Sequence, residues 1–154
     1  MADKPAQRAV ELLAQDFSCA QSVFSAFAPR FGISEEQALK TAACFGAGLA
    51  RQGQTCGAVT GAFMALGLAY GTTDSDPSSK ELAYGMAQEF IRRFKEKRGT
   101  TVCRELVGYD LSDDAQLQAA RNTGAFVKIC LPLVQETVDI LAAMLSLQSQ
   151  ARGS

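Results

Sequence analysis

Apolar residues recur along this chain every third or fourth position, and nowhere do they alternate with polar ones long enough to mark a strand. Residues 5–15 carry Ala9, Val10, Leu12 and Leu13 as one helical stripe. Ser18 is placed to cap a second helix from Cys19 to Ala28, with Val23, Phe24 and Phe27 on one side. Pro29 and Gly32 mark its end. Ser34-Glu35-Glu36-Gln37 is a capping box that opens a short third helix through Ala43. A glycine-rich loop follows over 45–54, and Thr55 is positioned to cap a fourth helix running to Tyr70. The stretch GTTDSDPSS, residues 71–79, is turn chemistry, with Asp76 as a cap and Pro77 at the first helical position.

The fifth helix is predicted over 77–98, where Leu82, Met86, Phe90 and Phe94 recur every fourth residue before Gly99. Thr100 or Thr101 caps a short turn holding Cys103, and Ser112 opens a helix over 112–122. A last helix begins near Phe126 or Pro132 and runs to Leu147, with Val134, Val138, Leu141 and Leu145 as its stripe. Pro132 places Cys130 at a break just before it. The pattern therefore predicts an all-α fold: one domain over 1–154, a compact bundle of five to eight helices.

Charge removes several classes of function. Fifteen basic and 16 acidic side chains leave a formal net charge of −1, so no electrostatic footprint for nucleic acid is present. The opening MADKPAQRAVELLAQD holds no hydrophobic signal-peptide core, and no apolar run reads as a membrane span. The expectation is a cytoplasmic protein, whose cysteines act as thiols, metal ligands or catalytic groups before structural disulfides. The sequence has no histidine, which excludes Ser-His-Asp hydrolysis, Cys-His proteolysis and histidine-containing zinc sites.

What remains is sulfur and glycine. The cysteines are Cys19, Cys44, Cys56, Cys103 and Cys130, and no two have C-x-x-C spacing. A buried cysteine is often only a small hydrophobe. Four of the five, however, fall at or near inferred helix starts: Cys19, Cys56, Cys103 and Cys130. Unpaired N–H groups and the positive dipole end favour a thiolate there, and the thiolate is both nucleophile and metal ligand. The basic end of the fifth helix, Arg92 to Arg98, lies five residues before Cys103 and would favour its ionisation too, although such a run is usually a solvated face.

Seven of the 13 glycines lie between Gly46 and Gly71. Gly57 and Gly61 sit four apart on one helical face, each costing about 1 kcal/mol relative to alanine. Either another helix packs very close, or a cofactor approaches the backbone beside Cys56. The run Phe45 to Gly53 matches neither G-x-G-x-x-G nor a P-loop, although Arg51 is able to hold an anion.

The segment TCGAVTGA, residues 55–62, resembles the CGAxxG motif of the C_GCAxxG_C_C family of redox-active proteins. Cys19 matches that family's first cysteine, Cys103 in CRELVGYD its third, and Cys130 in FVKICLPLVQETVDIL its fourth, over about residues 15–145. The resemblance implies a small helical protein with a redox role, in which Cys19, Cys56, Cys103 and Cys130 are the functional set. Cys44 departs from the pattern and is expected to be an extra buried thiol, or a resolving partner for Cys56.

Two redox readings follow. In one, the four thiolates ligate an iron–sulfur cluster or another thiophilic metal for electron transfer, with Gly57 and Gly61 facing the cofactor. In the other, no metal is bound, Cys56 and Cys103 are the redox thiols, and electrons pass as dithiol and disulfide to a redox partner the residues do not specify. A third reading is a non-catalytic interaction module that forms a homodimer through the small-residue face of Gly57, Gly61 and Ala65.

Overall fold

The computed structural model describes the backbone of residues 4–153 and the side chains of residues 4–146. Helix α1 spans Lys4–Ala14 and α2 spans Cys19–Phe27, extended by a 3-10 turn over Ala28–Phe31. Helix α3 is Glu35–Thr41, α4 is Gly57–Tyr70 and α5 is Pro77–Arg98. Helix α6 is Cys103–Val107 and α7 is Asp114–Asn122; a π-helical turn over Phe126–Cys130 then leads into α8, Leu131–Gly153. No strand occurs among the described residues, only an isolated antiparallel bridge between Thr55 and Val102. The chain is all-α, as its periodicity predicts.

The caps explain several boundaries. Ser18 and Ser34 each form a capping box, with Gln21 and Gln37 respectively. Asp76 and Pro77 start α5, and Gly99 ends it with φ 80°. Helix α7 is capped by Asp113, one residue after the expected Ser112; the Asp113 carboxylate accepts from the Ala115 N–H at 3.1 Å.

Helix α4 is the hub, packing on α2, α5 and α8, while α1 closes over α2 and α8. Phe27, Phe90, Phe94, Leu66, Leu141 and Met144 are fully buried around it. Each such side chain contributes about 1.5–3 kcal/mol of burial. The stretch Phe126–Ser146 is long and apolar enough to cross a membrane by length and composition, but half of it is buried as a core element of the bundle. A second, smaller apolar cluster gathers Cys103, Val107, Leu111, Leu117, Ala125 and Cys130 beside the first.

Candidate functional site

Four separate elements bring four cysteines to one place. Cys19 is the first residue of α2, directly after the Ser18 cap. Cys56 is the residue from which α4 starts, a role the sequence assigns to Thr55. Thr55 is instead taken up by the bridge to Val102. That bridge sets the distance between two thiols. The Cys56 N–H donates to Thr101 O at 2.8 Å, and the Cys103 N–H donates to Gln54 O at 2.6 Å. The two cysteines therefore flank one short antiparallel clip. Thr101 supplies a carbonyl to it, while the Thr100 hydroxyl accepts from the Val102 N–H.

Cys130 differs from its expected setting. The chain does not break before α8: Ala125 and Leu131 are both right-handed helical, and the turn between them is a π-turn ending at Cys130. Pro132 accounts for this. It has no N–H to give to the carbonyl four residues back, and its ring crowds that carbonyl, so the helix widens by one residue instead of stopping.

The glycines fix how closely these elements approach. A Cβ at Gly57 would lie 2.9 Å from Ala20 N and 3.3 Å from Cys19 Cβ. A Cβ at Gly61 would lie 2.7 Å from Ala20 O. Both positions thus accept the backbone of α2, which draws Cys19 toward Cys56. Gly57 also lines the cavity described below, whereas Gly61 faces Ala20 and Val23.

Between Phe45 and Gln54 the expected loop has a specific form. Ala47, Gly48, Leu49, Ala50 and Arg51 all have positive φ, between 53° and 68°. Such a left-handed turn costs roughly 1–2 kcal/mol for each residue with a Cβ. It is held by Ala50 N–H to Gly46 O at 2.9 Å and Gln54 N–H to Gly48 O at 2.9 Å. At Gly48 no Cβ fits, because it would lie 2.5 Å from Gln54 N. The turn lays Gly46, Ala47, Ala50 and Arg51 along the site.

Cys19, Cys56, Cys103 and Cys130 all line one cavity of about 710 Å³. Cys56, Cys103 and Cys130 are buried and Cys19 is partly so. Cys44 lies outside it and is exposed, so the expectation of an extra buried thiol is corrected: Cys44 falls in the turns after α3, which present it to solvent. Among the described residues no three cysteine or carboxylate side chains are gathered closely enough to hold a single metal ion. The four thiols share a chamber without collapsing onto one point.

The electrostatics separate them. Burial pushes the Cys56 thiol up to about 11, against the opposing pull of the Ala58 and Val59 N–H groups at the start of α4. Burial pushes Cys103 up to about 12, and Cys56 and Cys130 add to it. Cys19 and Cys130 act as a pair. The Cys19 thiol donates to Cys130, which raises Cys19 well above its ordinary value and lowers Cys130. Arg98, the last residue of α5, is ion-paired to Glu136 at 2.7 Å. Its charge favours ionisation of Cys56 and Cys130, and not of the Cys103 that sequence proximity suggests.

Fold and site together define a small helical protein with four cysteines from four elements around one cavity. The chain belongs to the C_GCAxxG_C_C family, described as "Putative redox-active protein", whose family model matches residues 17–144. No curated protein and no solved structure matches the chain significantly.

Proposed function

We propose that this protein transfers electrons through an iron–sulfur cluster held by Cys19, Cys56, Cys103 and Cys130. The observation that carries the reading is the shared cavity: four cysteines far apart in sequence line it, and the fifth does not. Four thiolates are the usual complement of a [2Fe–2S] or [4Fe–4S] cluster. The fit favours a cluster over a single ion. A lone ion needs ligands gathered to one point, which these residues do not form, whereas a cluster distributes its thiolates over several irons.

The cluster would supply one-electron chemistry. The chain's own residues supply the rest. The Thr55–Val102 clip orients Cys56 and Cys103, and the π-turn orients Cys130. Gly57 admits α2 so that Cys19 completes the set. Arg98 and the N–H groups of Ala58 and Val59 offset negative charge on sulfur. Burial of three of the four cysteines keeps water from the sulfurs.

Anaerobic purification followed by an optical spectrum and iron and sulfide analysis tests the reading. A brown protein with stoichiometric iron and sulfide supports it. A colourless, metal-free protein with titratable thiols replaces it with dithiol chemistry. The Cys19–Cys130 interaction would then identify the exchanging pair more naturally than Cys56 with Cys103.

A further inference from the structure

The cavity is larger than the thiols require. At about 710 Å³ it lies within the range of roughly 300–1,000 Å³ that sites for small organic molecules occupy. Cys56, Cys103 and Cys130 are its buried part, and Arg51 and Arg121 are exposed residues on its lining. Much of the remaining wall is apolar, including Leu13, Phe17, Leu106, Leu117, Phe126 and Leu131.

The two arginines differ from the others described. Arg8, Arg92, Arg93, Arg98 and Arg104 are each ion-paired with a carboxylate. Arg30 lies over the Phe27 ring at 5.9 Å. Among the described residues Arg51 and Arg121 have no such partner, and both line the cavity. Among the described residues Asp16 is the single carboxylate of the lining, so guanidinium groups outnumber it there two to one. Arg51 also occupies a left-handed position, φ 68°, where glycine would be less strained.

We infer that the cavity binds a small amphipathic organic anion. Arg51 and Arg121 take its planar, doubly accepting carboxylate head, and its apolar body lies along the wall toward the cysteines. This site stands on the rim charges and the volume, whatever occupies the thiols.

Calorimetric titration of the full chain with decanoate tests it, with decanol and decyltrimethylammonium as the neutral and cationic counterparts. Decanoate is expected to bind at least about tenfold more tightly than either, and more weakly as salt is raised. Arg121→Gln and Arg51→Gly should each weaken decanoate about tenfold and leave decanol unchanged. Because glycine suits the Arg51 backbone, Arg51→Gly should not lower the thermal midpoint, which separates lost binding from lost folding. Equal affinity for decanoate and decanol, no binding of decanoate, or parental affinity in both variants would each overturn the inference. Iron and sulfide measured on the same preparations report on the cluster separately, so either idea can fail alone.

Discussion

The two apolar clusters of this molecule are built from different materials. The larger is made of long helices and deeply buried aromatics: Phe27, Phe90 and Phe94 meet Leu66, Leu141 and Met144 around α4. The smaller is made of short pieces: the five residues of α6, the nine of α7 and a π-turn, around Val107, Leu111 and Leu117. Cys56 belongs to the first, Cys103 and Cys130 to the second, and Cys19 packs against both. A helix as short as α6 gains too few backbone bonds to offset its nucleation. The smaller cluster therefore depends on what ties it to the larger one: the Thr55–Val102 clip and the shared cysteine cavity. A cofactor held by all four cysteines would join the two.

The larger cluster breaks most readily where backbone meets backbone. Gly61→Val would drive methyl groups into Ala20 O, and the fixed carbonyl has little room to move. The expected cost is about 3 kcal/mol, read by urea denaturation. It should also pull Cys19 out of reach of Cys56.

Leu117→Ala should cost less, about 2 kcal/mol, because the side chain already touches solvent, at 8% exposure. Its effect should be local. Amide exchange should quicken over 103–130 and stay unchanged in α2 and α4. Uniform quickening would mean that the two clusters unfold as one unit. Ala50→Gly relieves a left-handed residue at φ 53° and should stabilise by about 1 kcal/mol in thermal unfolding. The smallest effect belongs to Ser22→Ala. The Ser22 hydroxyl is fully buried without a hydrogen-bond partner, so its removal should change stability by less than about 0.5 kcal/mol, or raise it slightly.

The larger cluster was also the more legible in sequence. Its helices show through periodicity and caps, so α5 falls on the expected 77–98, the Ser34 capping box forms as read and Ser18 caps α2 as expected, with Gln21 completing a second box. The smaller cluster and the cavity depend on features with weak local signatures. The left-handed turn over 47–51 contains one glycine among five residues, so its backbone cannot be inferred from composition. The clip pairs residues 47 positions apart, too short to show an alternating pattern. The π-turn did leave a trace, Pro132 two residues after Cys130, but a proline there suggests a break before it suggests a widened turn. Gly57 and Gly61 were visible as anomalies, and only the position of α2 explains them. Arg98, whose charge acts on Cys56 and Cys130, and Arg121, on the cavity lining, both sit at helix ends, where basic residues are ordinary.

The central claim is that four cysteines act as one site and the fifth stands apart. Iron and sulfide per chain, measured on anaerobically purified single serine variants of all five, test it most directly. Cys19→Ser, Cys56→Ser, Cys103→Ser and Cys130→Ser should each lose most of the iron and sulfide, and Cys44→Ser should retain the parental amount. Equal retention in all five, or loss in Cys44→Ser as large as in the others, would contradict the claim.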